Sequence, residues 1–191
     1  MKYQGSGVRA LRRVGVGALV AAVIMVAAAG TAWAHVVVQP GSLPKGTSDA
    51  MFSFSVPNET TTNAHVTRLE VDFPTNHPLL SAYVLTQPGW NVAVETAKLA
   101  KPVTTDDGTI TVAVSKITWT ATGAGIPPQQ FGLFTVLAGQ LPSNTGSVVF
   151  KALQTYSDGS IVRWIELNVK GAPAPEHPAP TLQLTGKAKK K

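Results

Sequence analysis

Cysteine is absent from this chain of 191 residues. That excludes a disulfide framework, a thiolate nucleophile and a cysteine-ligated zinc. Methionine is nearly absent too: of three residues, only Met51 lies beyond position 34. One thioether cannot build a sulfur-rich site for a soft monovalent metal. Aromatic residues are 7% of the chain, too few to line an extended carbohydrate-binding face. Positive charge is missing where a nucleic acid would need it. The net +6 comes from the two ends. Lys2, Arg9, Arg12 and Arg13 lie in the first 34 residues, and Lys187, Lys189, Lys190 and Lys191 at the other end. The stretch between them holds eight basic and ten acidic side chains, so no basic groove runs along it and no nucleic-acid partner is expected. No window of ten or more residues beyond position 34 carries a helical apolar stripe, and there is no internal repeat.

What is present begins with an export signal. The first 34 residues carry charge of one sign. An apolar run from Val14 to Ala29 follows, and Ala32-Trp33-Ala34 places small residues where a signal peptidase cuts. The apolar run is shorter than the roughly 20 residues that span a bilayer comfortably, so cleavage is expected rather than retention as an anchor. Removal of 1–34 makes His35 the new amino terminus. The expected location is extracytoplasmic: secreted, wall-associated or periplasmic. Membrane contact is expected only through an uncleaved signal or the lysine-rich end. No apolar span precedes that end.

Period-two alternation dominates the remainder. Met51–Val56, His65–Phe73, Tyr83–Leu85, Trp90–Glu95, Ile110–Val114, Lys116–Ala121, Phe131–Leu137, Gly146–Leu153 and Ile161–Val169 read as strands, punctuated by Pro, Gly and Asn. Asp106-Asp107-Gly108 and Ser157-Asp158-Gly159 read as hairpin turns, since Asp-Gly accommodates positive φ. About eight strands in a chain of this length predict an all-β, immunoglobulin-like antiparallel β-sandwich, with a closed barrel as the alternative. The expected organisation is a signal peptide at 1–34, a sandwich domain at 35–170 and a Pro/Lys-rich tail at 171–191. Within that tail, Thr181 to Leu184 is the one stretch that could dock as a last strand.

A terminal histidine has specific chemistry. Its α-amine and imidazole Nδ1 close a six-membered chelate ring on one metal ion. The amine's reference pKa of about 7.7–8.0 lets a metal displace its proton near neutrality. Nitrogen donors in tetragonal geometry suit Cu(II), which also tops the divalent affinity order. Cleavage must leave some residue first, however, so the residues around His35 decide whether this one matters.

Those residues form an ordered series. Val36-Val37-Val38-Gln39-Pro40 follows His35, then Phe54-Ser55-Val56-Pro57-Asn58-Glu59. Pro88-Gly89-Trp90, Ile117-Thr118-Trp119-Thr120 and Gly125-Ile126-Pro127-Pro128-Gln129-Gln130-Phe131 come next. Gln154-Thr155-Tyr156-Ser157-Asp158-Gly159 runs into Val162-Arg163-Trp164-Ile165-Glu166, and Glu176-His177-Pro178-Ala179-Pro180 closes the series. In this order and at these spacings the chain resembles the YcnI-like family of bacterial extracytoplasmic copper-binding proteins. The resemblance implies one Cu(II) held at a terminal histidine. His35 would supply amine and imidazole, Glu59 a carboxylate ligand, and Trp164 an indole placed against the metal. It further implies a non-enzymatic role as copper chaperone, scavenger or homeostasis factor, with a copper transporter or another extracytoplasmic chaperone as partner.

Two other functions compete. A copper-dependent polysaccharide monooxygenase would need a second histidine beside His35, from His65 or His77. A metal-free adhesive or structural sandwich would need none of this chemistry. Trp90 and Trp119 read as core residues, Gln154 and Tyr156 as hydrogen-bonded strand residues, and His65, His77 and His177 as exposed rather than ligating. Asn58-Glu59-Thr60 matches the glycosylation sequon by chance.

Overall fold

A computed structural model describes residues 35–105 and 108–187. The predicted signal segment and Asp106-Asp107 lie outside the described residues. The described residues form β1 (Val37–Gln39), β2 (Ser42–Lys45), β3 (Ser48–Pro57), β4 (Val66–Asp72), β5 (Ala82–Val84), β6 (Trp90–Thr105), β7 (Gly108–Ala121), β8 (Phe131–Gln140), β9 (Ser147–Val149), β10 (Lys151–Tyr156), β11 (Ile161–Trp164) and β12 (Thr181–Lys187). None of them is helical.

Two sheets make the sandwich, in the orders β1-β3-β8-β5 and β11-β10-β4-β7-β6, each antiparallel throughout. Alternation sets the inner face. Phe52, Phe54 and Val56 of β3 are buried, while Met51 between the sheet's inward positions is exposed. Leu69 and Val71 of β4, Ile117 and Trp119 of β7, and Phe134 and Val136 of β8 complete the core. Phe54 sits at its centre, in ring contact with Phe52, Phe73, Trp119 and Phe150 at centroid separations of 5.1–6.3 Å. These pairs are edge-to-face, the arrangement that matches the quadrupoles of the rings. Trp90, half-buried, packs edge-to-face on Phe134.

Differences from the predicted strands have local causes. The runs either side of Ser115 are one strand, β7. Lys116 pairs with Glu95 and Val114 with Thr96, so Ser115 is the extra residue of a β-bulge. Its carbonyl accepts the Phe73 N–H at 2.8 Å. The run 146–153 is cut at Phe150, whose N–H turns to the Pro180 carbonyl. On one side of that cut β9 pairs with β12, and on the other β10 pairs with β4. The run 161–169 ends at Trp164, because the backbone beyond it leaves β10 and Glu166 pairs instead with Pro178. The turn at 157–159 forms as expected. Gly159 takes a φ of 85°, and the Asp158 carboxylate accepts both the N–H and the hydroxyl of Ser160.

Within the stretch read as a tail, Thr181–Lys187 forms β12. It pairs in parallel with β2 and antiparallel with β9, making a third, three-stranded sheet. Leu182 and Leu184 are fully or nearly fully buried, and this alternation docks the strand. Among the described residues no helix is long and apolar enough to cross a membrane.

Candidate metal centre

β1 and β11 are edge strands of the two main sheets, and His35, just ahead of β1, touches Trp164 at the end of β11. Strand β1 is anchored by the buried Val36 and Val38 and runs antiparallel to β3, with Val37 opposite Ser55 and Val38 opposite Phe54. Continuing that register two residues back sets His35 opposite Pro57. The His35 ring is half-buried and meets the indole of Trp164 edge-on, with centroids 5.6 Å apart and planes at 82°. Trp164, the last residue of β11, is only 4% exposed.

One buried amide holds this corner together. Gln154, on β10, is fully buried. Its Oε1 accepts the Trp164 Nε1–H at 2.9 Å, and its Nε2 donates to the Pro57 carbonyl at 2.7 Å. The side chain therefore crosses from one sheet to the other. It fixes the indole on one side and the end of β3 on the other. Trp164→Phe would leave Oε1 without a donor in a dry setting. The expected loss is about 1–3 kcal/mol of folding stability, read from the shift in the urea midpoint.

Glu59 enters the corner through the backbone, two residues after Pro57. It is exposed, and the turn that carries it is rigid because Asn58 is buried and fully engaged. Asn58 Nδ2 donates to the carbonyls of Ala64 and Ile126 at 2.8 and 2.9 Å. Its Oδ1 accepts the Thr60 N–H, its own N–H donates to Gln130, and its carbonyl accepts from Gln129. The amide of the sequon is thus spent inside the protein. Tyr156, on β10, has a hydroxyl pKa pushed above its ordinary value by burial, then by the charges of Glu59 and Asp158.

The remaining histidines are all partly buried, not exposed as the sequence suggested. His65 exchanges hydrogen bonds with Ser157 at the β10–β11 turn, and His77 sits in the loop between β4 and β5. Each has a buried Nδ1 without a hydrogen-bond partner. Neither makes ring contact with His35 or Trp164 among the described residues. His177 is the residue that sequence reasoning missed. Its ring packs on Trp164 at 5.2 Å. The Glu176-His177-Pro178 context reads as tail, and no local pattern signals that it folds back.

Among the described residues, no three His, Asp or Glu side chains cluster as a metal-holding set. The described residues offer one half-buried imidazole against a buried indole, with the exposed Glu59 two residues past the Pro57 that Gln154 ties to that indole. Such a set suits a metal only if the backbone contributes, and a free α-amine at His35 would do so. On that condition the residues fit a single Cu(II).

A family model described as a domain of unknown function, DUF1775, matches residues 35–184, beginning at His35 itself. The chain belongs to this YcnI-like family. The DUF1775 protein is 31% identical over 137 residues to a Bacillus subtilis (strain 168) protein named copper-binding protein CutI. The matched region covers 69% of this chain and 55% of that protein, so the chain spans little more than half the length of this relative. The crystal structure of an uncharacterized Nocardia farcinica protein, described as revealing an immunoglobulin-like fold, superposes with a TM-score of 0.61 at 36% identity. The superposition covers 78% of this chain and 97% of the Nocardia one. The sandwich of this DUF1775 protein is accordingly immunoglobulin-like.

Proposed function

We propose that this DUF1775 protein is an exported, non-enzymatic Cu(II)-binding protein that takes one copper at His35 once residues 1–34 are removed. The observation that carries the reading is the His35–Trp164 contact: a half-buried imidazole set edge-on against a buried indole. The relative named copper-binding protein CutI supports it. In this reading the α-amine and imidazole of His35 chelate the ion. Glu59 supplies a charge-neutralising oxygen, and Trp164 screens one side from water. Copper is cargo, held outside the cytoplasm for buffering or delivery to a copper transporter or a second extracytoplasmic chaperone.

Electron paramagnetic resonance of the protein beginning at His35, with one equivalent of Cu(II), tests this. A single tetragonal, nitrogen-rich signal is expected. Glu59→Gln should weaken binding at least about tenfold, as loss of a group that tunes a metal site does, with an unchanged urea midpoint because Glu59 is exposed. His65→Ala combined with His77→Ala should leave the signal intact. If that double variant loses copper while Glu59→Gln keeps it, the one-histidine site is wrong and a two-histidine, monooxygenase-type centre replaces it.

A further inference from the structure

Trp164 is touched by two imidazoles that come from opposite ends of the domain. His35 precedes β1, and His177 precedes β12. The His177 contact is built in by the backbone around it. Glu166, two residues after Trp164, donates its N–H to the His177 carbonyl at 3.1 Å and accepts the Ala179 N–H at 2.8 Å. Its carboxylate Oε2 accepts the His177 N–H at 3.1 Å. One glutamate thus grips both sides of His177-Pro178, as an isolated parallel bridge. Ala179 and Pro180 are buried, Pro180 accepts from Phe150, and Leu182 and Leu184 plug β12 into the core. A Pro-rich stretch gripped in this way is a fixed wall.

We infer that His177 is a positioning residue of the metal centre: its ring sets the indole of Trp164 against His35, and so couples copper occupancy to docking of residues 176–184. This rests on the copper reading above. His177 acts through the indole, because the ring it packs on is that of Trp164. The indole has few ways to move. Its Nε1 is pinned by Gln154, the residue is buried in the core, and both imidazoles meet the indole at steep angles. Removing one imidazole loosens the surface that the other meets. Coupling of this kind is reciprocal, so copper at His35 must also tighten the 176–184 arm.

The test uses the full chain processed to His35, as wild type, His177→Ala and His177→Phe. Cu(II) affinity is measured by chelator competition, the ligand field by electron paramagnetic resonance, and amide hydrogen exchange at Ala179, Gln183 and Leu184 with and without Cu(II). Expected are about tenfold weaker binding in His177→Ala, a shifted signal, and loss of the copper-dependent protection of those amides. His177→Phe, which keeps a ring, should restore all three. Should the alanine variant not fold, His177→Leu fills the space without a π face and gives the same comparison. Equal affinity and identical spectra in all variants would overturn the inference. So would a phenylalanine variant as weak as alanine with one nitrogen fewer in the signal, since His177 would then be a ligand. If wild type itself gives no tetragonal signal, the copper reading has failed, an outcome distinct from a normal wild type beside an unaffected His177→Ala.

Discussion

One extra residue placed ahead of His35 is expected to abolish the copper-dependent stabilisation of this protein. The extension leaves every side chain in place. It converts the His35 amine into an amide, which no longer titrates near neutrality and cannot close the chelate ring with Nδ1 without losing an amide proton. A ligand that binds only the folded state raises stability by RT ln(1 + [L]/Kd), about 2.7 kcal/mol at a hundredfold excess over Kd. For a domain of this size that corresponds to a rise of about 5–10 °C in Tm. The protein beginning at His35 should show this rise with Cu(II), and the extended protein none, with equal Tm values in the absence of metal. Val36 and Val38, which anchor β1, are untouched by the extension, so a lower metal-free Tm is not expected. Equal copper-dependent rises in the two proteins would show that His35 leads the mature chain by accident of processing.

The second large effect is expected at Asn58. Asn58→Asp keeps the shape of the side chain and removes both Nδ2 donors. The carbonyls of Ala64 and Ile126 then face a carboxylate at a site only 1% exposed. The Ile126 carbonyl keeps the Val66 N–H while the Ala64 carbonyl loses its Asn58 donor; an unpaired buried acceptor costs about 1–3 kcal/mol and a buried unpaired charge more, so a loss of about 3–5 kcal/mol is expected. Urea denaturation measures it. Cu(II) affinity should fall as well, because the turn that presents Glu59 depends on Asn58. That turn also receives Gln129 and Gln130 from the segment ahead of β8. An unchanged urea midpoint would mean that the turn is held by its backbone bonds alone.

Gln154 shows how far a sequence carries such a site. Its place in an alternating strand identified it as hydrogen-bonded. That its two ends join Trp164 to Pro57 across the sandwich depends on strand order, since β10 and β3 belong to different sheets. His35 and Glu59 were read as candidate ligands for a different reason. A histidine after a small-residue cleavage motif has its chemistry written in its position, and Val-Pro-Asn-Glu stands in an ordered series. Ser115 marked a break between two runs, but only the ladder turns that break into a bulge whose carbonyl serves Phe73.

The sequence by itself determined that this is a cysteine-free, strand-built domain whose inward faces are set by period-two alternation. It also raised the expectation of an export-type leader ahead of His35, a residue with chelating side-chain chemistry. These are local properties: alternation, charge order and turn chemistry act over a few residues. The tertiary structure alone decided that Trp164 lies against His35, and that His177 returns from a Pro-rich stretch to the same indole. The first of these contacts joins residues more than a hundred positions apart. The second follows docking of the arm, in which Leu182 and Leu184 gain more by burial than the arm loses by being ordered. No short-range pattern encodes that balance.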